Sequence, residues 1–369
     1  MTTINKIKVL VIDDSAFMRK TLTFMLESAG DIEVVATAKD GLEGFELVKK
    51  LQPDIITLDF EMPRMNGLET LEKIMNDSPV PVLMVSSYTT EGAEITIKAL
   101  SLGAADFLPK EATNISTGIM KIKDELIEKV RNIYKQTSIA TRLKRISSIV
   151  VKDERKTKSV TKNKEWFPKS DIKAILIGIS TGGPLSLQKV IPHLQAQLPV
   201  PVIVIQHMPP MFTNSLAERL NKLSEVTVKE ASDNDVLEQA KVYFAPGGKH
   251  LFVNQSSGKV TIKISENPDN TLYKPCVDVS LNSMIDVYGK SVLPIIMTGM
   301  GKDGLEAVKR LKQIGGFAIA QDEESSVVYG MPRAIVYNGL ADLVLPLDKI
   351  AIQINKIFNR EFAYAGNVV

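Results

Sequence analysis

The feature that most constrains the fold is an alternation of short apolar runs with longer amphipathic stretches, repeated five times between Lys6 and about Ile133. The apolar runs are Val9–Ile12, Val34–Ala36, Ile55–Leu58, Val82–Val85 and Phe107–Leu108. Helical periodicity marks Ala16–Ser28, Gly41–Leu51, Gly67–Asn76, Glu91–Ser101 and Ile115 to about Ile133. Strands that alternate with helices in this way form βαβ units, so we predict a parallel sheet covered by helices on both faces over residues 1–133.

Charged and hydroxyl side chains directly follow four of these predicted strands. They are Asp13 and Asp14, Asp59, Ser86, and Lys110. Because function in parallel sheets lies at the carboxyl ends of the strands, we expect these side chains to converge. Three carboxylates repel one another unless a cation such as Mg²⁺ offsets their charge, and a carboxylate beside that cation is a candidate phosphoryl acceptor. Taken singly, each aspartate could instead cap a helix or begin a turn, so the prediction depends on their occurring together.

The motifs around these residues are similar to those of response-regulator receiver domains, which have a flavodoxin-like fold. The resemblance covers Lys6 to about Leu126 and is carried by Val-Ile-Asp13-Asp14-Ser and by Leu-Asp59-Phe-Glu-Met-Pro-Arg-Met-Asn-Gly. It implies phosphorylation at Asp59, with Ser86 as the switch hydroxyl, Phe107 as the switch aromatic and Lys110 as the active-site lysine. It also implies a Mg²⁺ site formed by Asp14, Asp59, the backbone carbonyl of Glu61 and, through water, Asp13.

One departure from the receiver pattern concerns the residues on either side of Lys110. Receiver domains usually have a proline after this lysine, in a cis peptide, whereas here Glu111 follows the lysine and Pro109 precedes it. A cis bond without proline costs about 3 to 4 kcal/mol, so we carry over the role of the lysine but not the cis geometry of the next peptide.

A basic segment separates this region from the second half of the chain. Residues 131–169 contain 12 Lys and Arg against three Asp and Glu, which is a net charge of +9 and leaves −7 for the rest of a chain whose total is +2. The segment is polar and has no sustained helical or strand period, so we predict a linker over residues 134–169. A basic tether can touch nucleic acid or an acidic partner, but a solvated, self-repelling chain is the commoner case.

Alternation resumes after Trp166. The apolar runs are Ala174–Ile179, Val200–Ile205, Val242–Ala245, Leu251–Val253, Val292–Met297 and Phe317–Ala320. Helical patterns occupy Leu185–Leu194, Leu216–Leu223 and Gly304–Ile314. This pattern predicts a second, Rossmann-like α/β domain with a mostly parallel sheet over residues 170–369. A hairpin of Leu251–Val253 with Val260–Ile264 would add an antiparallel strand and make that sheet mixed.

Ser180 lies in a glycine-rich turn between a predicted strand and a predicted helix. The segment reads Ile-Leu-Ile-Gly-Ile-Ser180-Thr-Gly-Gly-Pro, with the proline where a helix start tolerates it. Such a turn can hold either a nucleotide phosphate or the oxyanion that forms when a serine attacks an ester. The G-x-G-x-x-G and P-loop patterns are absent, whereas residues 178–182 read G-x-S-x-G, which favours a serine nucleophile.

A serine nucleophile requires a general base, and the chain has three histidines. His207 directly follows a predicted strand, whereas His193 lies within the helix after Ser180 and His250 lies in a turn. Asp303 follows another strand end and could hold the imidazole of His207 in the tautomer that accepts the serine proton. An aspartate there could also be a simple helix N-cap, but three strand ends at one edge favour a triad.

The alternative is the order found in α/β-hydrolases, which is serine, acid, histidine. That order would require Ser180, Asp233 or Asp235, and His250. We disfavour it because the two aspartates lie in a turn-like cluster that no strong predicted strand precedes.

The order serine, histidine, aspartate resembles that of the CheB methylesterases of chemotaxis, and with the receiver region the resemblance extends over the whole chain. It is carried by Gly-Ile-Ser180-Thr-Gly-Gly-Pro, Gln-His207-Met, Ala-Pro-Gly-Gly and Met-Thr-Gly-Met300-Gly-Lys-Asp303-Gly. It implies that Ser180 is the nucleophile, His207 the base and Asp303 its orienting acid, with Thr181 and the backbone near Met300 beside the oxyanion. Cys276 stands where the family often has serine and is expected to be a structural thiol.

This resemblance implies a phosphorylation-activated serine hydrolase that demethylates glutamyl methyl esters, and deamidates glutamines, on chemotaxis receptors during adaptation. A chemotaxis histidine kinase would supply the phosphoryl group. Mg²⁺ would be needed for phosphorylation, and no cofactor for ester hydrolysis. The unphosphorylated receiver would pack over the Ser180 crevice, and phosphorylation would loosen that contact.

The alternative from another class is a response regulator with a DNA- or nucleotide-binding output domain. No helix-turn-helix pattern follows Lys169 and the charge outside the linker is negative, so we expect no nucleic acid as a partner. Apolar runs are far shorter than the roughly 20 residues of a membrane helix, and the first ten residues lack the apolar region of a secretory signal. We therefore expect no membrane insertion and a cytoplasmic location.

Overall fold

The computed structural model describes residues 6–87, 89–110, 122–135, 168, 171–256 and 258–359. The chain divides into two compact units, with the division between Lys158 and Ser159. The predicted linker over residues 134–169 lies almost entirely outside the described residues, so the linker and the three domain boundaries stay predictions. No helix within the described ranges combines the length and the apolar character that crossing a bilayer requires.

The first unit contains a five-stranded sheet in the order β2-β1-β3-β4-β5, and all of its strand pairs are parallel. The strands are β1 (Ile7–Ile12), β2 (Ile32–Ala38), β3 (Ile55–Asp59), β4 (Val82–Ser87) and β5 (Asp106–Lys110). The helices are α1 (Ala16–Glu27), α2 (Gly41–Leu51), α3 (Gly67–Asp77), α4 (Thr90–Ser101) and α5, helical over residues 122–135. The predicted doubly wound fold is confirmed.

Local sequence explains where these elements begin. Ser15, Asp40, Asn66 and Thr89 each precede a helix and accept a hydrogen bond from a backbone N–H of its first turn. The central strands are apolar without alternation, as in β3, where every residue is buried. Strands of this kind are covered on both faces, which places their functional side chains at the strand ends rather than on a face.

The second unit contains a seven-stranded, wholly parallel sheet in the order β14-β13-β12-β6-β7-β9-β8. Its strands are β6 (Ala174–Ile179), β7 (Val202–Gln206), β8 (Thr227–Glu230), β9 (Lys241–Phe244), β12 (Val292–Ile296), β13 (Ile319–Gln321) and β14 (Leu343–Leu345). Its helices are α6 (Gly183–Val190), α7 (Phe212–Leu223), α8 (Val277–Tyr288), α9 (Leu305–Gln313), α10 (Met331–Tyr337) and α11 (Leu347–Phe358).

The predicted hairpin forms, but the expectation that it makes the sheet mixed is wrong. β10 (His250–Ser256) and β11 (Lys259–Ser265) pair with each other as a separate antiparallel sheet. Side chains of α8 bond to the backbone of β10, since Ser280 Oγ donates to the Leu251 carbonyl and the Val253 N–H donates to Ser283 Oγ. These bonds to a helix fix the hairpin against α8 and not against a strand of the main sheet.

The strand order brings three strand ends together. β6 lies between β12 and β7 and pairs with both. Ser180 follows β6, His207 follows β7, and Asp303 lies in the loop between β12 and α9. In the first unit, the carboxyl edge of its own sheet carries the ends of β1, β3 and β5, where Asp13, Asp59 and Lys110 lie.

Candidate functional sites

An acidic cluster lies at the carboxyl edge of the first sheet. Asp13 and Asp59 are buried and Asp14 is exposed, and each offers a carboxylate oxygen within 4.8 Å of the others. Lys110 Nζ lies 2.7 Å from Asp59 Oδ1 and 2.9 Å from Asp13 Oδ2. The second contact is an ion pair without the alignment of a hydrogen bond. The structure thus brings together the predicted acidic residues and the predicted lysine.

The surroundings of Asp59 and Lys110 shift the pKa values of both groups. Burial raises the pKa of Asp59 to about 6, against the lowering effect of Lys110, and the neighbouring charge of Asp13 adds to the rise. Burial acts to lower the pKa of Lys110, but its contacts with Asp59 and Asp13 outweigh burial and the pKa is raised. One ammonium therefore faces three carboxylates, and the cluster has excess negative charge.

The cluster fits a Mg²⁺ ion. Its ligands are hard carboxylate oxygens grouped within 4.8 Å, and its excess negative charge suits a small divalent cation. Glu61 is exposed two residues beyond the end of β3, and the role of its carbonyl stays a prediction. Phe107 is buried at 6% exposure. The side chain of Ser86 and all of Glu111 lie outside the described residues, so the switch hydroxyl and the peptide after Lys110 stay untested.

Close packing around Ser180 explains the glycines after it. The Ser180 N–H donates to the Thr298 carbonyl at 2.9 Å, and Gly182 adopts a left-handed φ of +75° at the start of α6. A Cβ at Gly183 would lie 1.9 Å from Gln206 Oε1. Only glycine allows β6 to turn into α6 this close to the end of β7, which holds Ser180 at the corner.

Gln206 joins the two strand ends that carry the serine and the histidine. Its Nε2 donates to the Ser180 carbonyl at 2.9 Å and to the His207 carbonyl at 3.0 Å. The His207 N–H in turn donates to the Ile179 carbonyl at 3.0 Å. Our sequence analysis gave Gln206 no role, because an amide at a strand end has no distinctive pattern.

His207 and Asp303 form the connected half of the predicted triad. His207 Nε2 lies 2.7 Å from Asp303 Oδ2, and the imidazole is 6% exposed. The other ring nitrogen, Nδ1, is buried and has no hydrogen-bond partner among the described residues. Ser180 Oγ therefore does not reach it in this conformation. In enzymes without substrate such bonds are often long and tighten on binding, so Nδ1 is the nitrogen open to the serine proton.

Asp303 is held by four donors. Besides His207, Oδ2 accepts from the Val277 N–H at 2.7 Å. Oδ1 accepts from the Asp278 N–H at 3.0 Å and from Cys276 Sγ at 3.2 Å. These residues form the start of α8, whose first position has no side-chain cap of its own, so Asp303 caps this helix from a distant part of the chain.

The hydrogen bonds explain the ionisation of this pair. Burial acts to raise the pKa of Asp303, but His207 and the amides of Asp278 and Val277 outweigh it, and the pKa is lowered. Burial and the Asp303 charge raise the pKa of Cys276 to about 12. Asp303 is thus a stable carboxylate and Cys276 an un-ionised thiol, as expected of a structural cysteine.

The remaining candidates are placed as follows. Thr181 is buried and its carbonyl accepts from Thr298 Oγ1 at 3.0 Å, and Met300 is partly exposed in the loop after β12. Their oxyanion roles stay predictions. His250 is fully buried, and its Nε2 lies 3.1 Å from both the Pro268 carbonyl and Thr271 Oγ1. His250 is thus the first residue of β10, with its Nε2 engaged by the loop after β11, and within the described residues no carboxylate bonds to its ring as the alternative triad would require.

The two aspartates of that alternative also have structural partners. Asp233 Oδ1 accepts from the Ile264 N–H, and Asp235 pairs with Lys229 at 2.8 Å.

Tyr273 contacts the imidazole of the predicted triad, because its ring stacks on His207 with centroids 4.2 Å apart. The sequence carried no signal for that contact, since nothing local relates Tyr273 to a histidine 66 positions earlier.

A pocket of about 530 Å³ lies at the carboxyl ends of β7, β8 and β9. Its lining includes Pro210, three residues after His207, together with Met211, Glu230 and Lys249. A larger pocket of about 820 Å³ is lined by Lys173 and Pro201, which precede their strands and therefore lie at the opposite edge of the sheet. Of these two pockets, the smaller one lies at the edge of the sheet where β6 and β7 end in Ser180 and His207.

Comparisons with known proteins agree with this geometry. Residues 175–354 match the CheB methylesterase family and residues 9–117 match the response regulator receiver domain. The protein-glutamate methylesterase/protein-glutamine glutaminase of Pyrococcus abyssi is 43% identical over 345 residues, covering 94% of this chain and 92% of that one. This chain belongs to the CheB methylesterase family.

Two further relatives also match over nearly their whole length. Protein-glutamate methylesterase/protein-glutamine glutaminase 1 of Oleidesulfovibrio alaskensis is 45% identical, covering 94% of this chain and 97% of that one. The protein-glutamate methylesterase/protein-glutamine glutaminase of Thermotoga maritima is 43% identical, covering 93% of this chain and 96% of that one. Family membership confirms the resemblance seen in the sequence and replaces the alternative of a DNA- or nucleotide-binding output domain.

Proposed function

We propose that the protein is a protein-glutamate methylesterase that demethylates γ-glutamyl methyl esters, and deamidates glutamines, on chemotaxis receptors. Ser180, His207 and Asp303 are the catalytic triad in this proposal. The observation that carries it is the buried bond between His207 Nε2 and Asp303 Oδ2, which leaves Nδ1 as a buried acceptor at the strand end next to that of Ser180. A tautomer fixed in this way is what a serine nucleophile needs.

The chemistry follows from this tautomer. Ser180 Oγ attacks the ester carbonyl carbon and its proton passes to His207 Nδ1, while Asp303 holds the Nε2–H and stabilises the imidazolium. Collapse of the tetrahedral intermediate breaks the bond to the methoxy oxygen, which takes the proton from Nδ1 and leaves as methanol. A water then gives its proton to Nδ1 and attacks the acyl-serine, and the glutamate carboxyl group is released as the proton returns to Ser180 Oγ.

The same steps apply to a glutamine side chain, with ammonia leaving in place of methanol. We assign the oxyanion to the backbone around Thr181 and Met300, because Thr181 directly follows Ser180 and Met300 lies in the loop after β12, the strand next to β6. The names of the relatives, which include both methylesterase and glutaminase, support this dual substrate range.

In our proposal the first unit controls the second. Asp59 accepts a phosphoryl group from a chemotaxis histidine kinase, and phosphorylation raises the hydrolase activity. Asp14, Asp59 and the carbonyl of Glu61, with Asp13 acting through water, would hold Mg²⁺, which would supply positive charge to offset that of the phosphoryl oxygens. Lys110 pairs with the phosphoryl oxygens, and Ser86 and Phe107 respond to the phosphoryl group. The receiver domain, linker and catalytic domain comprise residues 1–133, 134–169 and 170–369.

The test measures methanol release from methylated receptor membranes. We expect Ser180→Ala to lower kcat by about a thousandfold or more, because it removes the nucleophile. Ser256→Ala, which changes an exposed serine in β10, is the matched control and should behave as wild type. Equal rates for wild type and Ser180→Ala would overturn the assignment.

Regulation is tested in the same assay with a small phosphodonor and Mg²⁺. Wild type should release methanol faster when the donor is present. Asp59→Asn should keep the basal rate and lose the response, since it removes the acceptor carboxylate. A donor response that persists in Asp59→Asn would show that the phosphoryl acceptor lies elsewhere.

A further inference from the structure

We propose that Tyr273 is a positioning residue for the reaction, whose ring holds the imidazole of His207 in its working orientation. This inference rests on the proposed function, because it assigns a role within the same site. The ring of Tyr273 stacks on the imidazole with centroids 4.2 Å apart and an angle of 14° between the planes. A near-parallel stack is a large, flat contact that leaves both edges of the imidazole free for other partners.

The stack limits rotation of the imidazole. One ring edge is already fixed by the 2.7 Å contact between Nε2 and Asp303 Oδ2. A single hydrogen bond still allows the ring to turn about its line, which would swing Nδ1 away from Ser180. A flat neighbour against the ring face blocks that motion, so the two contacts together determine where Nδ1 points.

The chain around Tyr273 also holds the acid. Residues 273–278, which we call the clamp segment, carry Tyr273 at one end and the three donors to Asp303 at the other. The clamp segment is itself fixed, because the Gly248 N–H donates to the Lys274 carbonyl at 3.0 Å and Lys274 pairs with Asp269. One short stretch therefore contacts both His207 and Asp303, so the two cannot move apart independently.

The hydroxyl of Tyr273 reaches the third loop of the site. A Cβ built on Gly301 would lie 3.3 Å from the Tyr273 hydroxyl oxygen, and Gly301 follows Met300, the candidate oxyanion residue. Tyr273 thus extends from the base to the loop after β12. Tyr273 is partly exposed while the imidazole on which it stacks is 6% exposed, so the tyrosine ring covers His207 on the side toward the surface.

Two effects on the reaction follow. A base held in one orientation needs no reorganisation when the serine proton is transferred, and misplacement of a catalytic group by about 1 Å can cost about a hundredfold in rate. The ring face also carries partial negative charge, which favours the imidazolium that forms during attack. Both effects act on the transition state more than on substrate binding, so they should appear in kcat.

The experiment uses the full chain and methanol release from methylated receptor membranes, with Tyr273→Leu and Tyr273→Phe. Leucine removes the flat ring, and phenylalanine keeps the ring without the hydroxyl. We expect Tyr273→Leu to lower kcat about 10- to 100-fold with KM unchanged within about twofold, and Tyr273→Phe to stay within about threefold of wild type. Tyr337→Leu, at a 74% exposed tyrosine of α10, is the matched control and should match wild type.

Three results would overturn the proposal: an unchanged kcat in Tyr273→Leu, an equal loss in Tyr273→Phe, or a change confined to KM, which would make Tyr273 a substrate contact. Thermal unfolding checks that the variants are folded. If Tyr273→Leu does not fold, Tyr273→Gln is judged by the same criteria. Wild type that releases no methanol would contradict the proposed function, whereas active wild type with an equally active Tyr273→Leu would contradict only this inference.

Discussion

Asp59 and Asp303 are both buried aspartates at the carboxyl edge of a parallel sheet, yet their pKa values are shifted in opposite directions. Burial raises the pKa of Asp59 to about 6 and would also raise that of Asp303, but the pKa of Asp303 is lowered. The number and placement of donors account for the difference. Asp303 accepts from two donors at each oxygen, whereas the Phe60 N–H and Lys110, the donors of Asp59 among the described residues, both approach Oδ1.

The comparison separates two uses of a buried carboxylate. Asp303 has its charge fully compensated by fixed groups of the protein, which suits a residue that must stay ionised while it orients a base. Asp59 keeps one oxygen without a described donor and stands beside two more carboxylates, which suits a residue that takes up a cation and a phosphoryl group. Burial alone therefore does not predict the role of an acidic residue.

The largest effect should come from exchanging Asp303 for asparagine. The amide of asparagine has one acceptor oxygen and one NH₂ donor group. Its NH₂ must therefore face either the donors of His207 and Val277 or those of Asp278 and Cys276, where no hydrogen bond can form between donor and donor. We expect kcat for methanol release to fall about a thousandfold to ten-thousandfold, as the imidazole loses its tautomer. The start of α8 should also lose about 1 to 3 kcal/mol of stability, measured by hydrogen exchange.

The matched control for Asp303→Asn is Asp286→Asn. Asp286 is 64% exposed on α8 and pairs with Arg310 at 2.6 Å. An exposed pair contributes at most about 1 kcal/mol, so this variant should keep full activity. A kcat within tenfold of wild type for Asp303→Asn would show that Asp303 does not orient the base.

Much of this contrast was readable in the sequence, and part of it was not. The convergence of Ser180, His207 and Asp303 followed from the rule that parallel strands end at one edge, which needs only the order of polar residues after apolar runs. The donors of Asp303 could not be predicted, because Cys276 and Val277 reach it through the packing of α8. That helix was missed, since it begins Val-Asp-Val and valine is a β-branched residue that is typical of strands.

In the first unit the limit of prediction was electrostatic. The motif placed Lys110 beside Asp59, but only coordinates reveal that it contacts Asp13 as well. In the second unit the limit was strand length: the edge strands β8 and β14 were missed, because they are four and three residues long and only partly buried. Short segments of this kind carry too few apolar positions to define a period.

The second prediction concerns a substitution that removes the Lys110 ammonium from the acidic cluster of the first unit. Lys110→Met keeps a long stem but leaves Asp13 and Asp59 buried without their shared ammonium. We expect a loss of about 3 kcal/mol in the opening free energy of β1 and β3, measured by hydrogen exchange of the full chain without Mg²⁺. Mg²⁺ should restore part of it, because it binds only the folded cluster.

Lys49→Met is the control for this change. Lys49 is exposed on α2 and pairs with Glu46, so its loss should leave the opening free energy within about 1 kcal/mol of wild type. If the amides of β1 and β3 exchanged as slowly in Lys110→Met as in wild type without Mg²⁺, the Lys110 ammonium would not be the group that balances the carboxylates.

The third prediction applies the asparagine exchange to the other aspartate. At Asp59 the amide can keep Oδ1 toward Phe60 and Lys110 and place its NH₂ where no described donor lies. The exchange removes one of three crowded charges, so Asp59→Asn should raise the opening free energy of β1 and β3 by about 1 kcal/mol without Mg²⁺. Asp14→Asn, at the exposed member of the cluster, should change it less, and a decrease for Asp59→Asn would contradict the comparison.

The smallest effect is expected from changing Cys276, the weakest of the four hydrogen-bond donors to Asp303. Cys276 Sγ donates to Asp303 Oδ1 at 3.2 Å, and a thiol is a weak donor. Cys276→Ser supplies a stronger donor at the N-cap of α8, so we expect a gain of up to about 1 kcal/mol in stability and a kcat within about threefold of wild type. Cys276→Ala removes the donor and should be the least stable of the three in thermal unfolding. If alanine and serine gave equal stability, the compensation of Asp303 would come from His207 and the backbone amides alone.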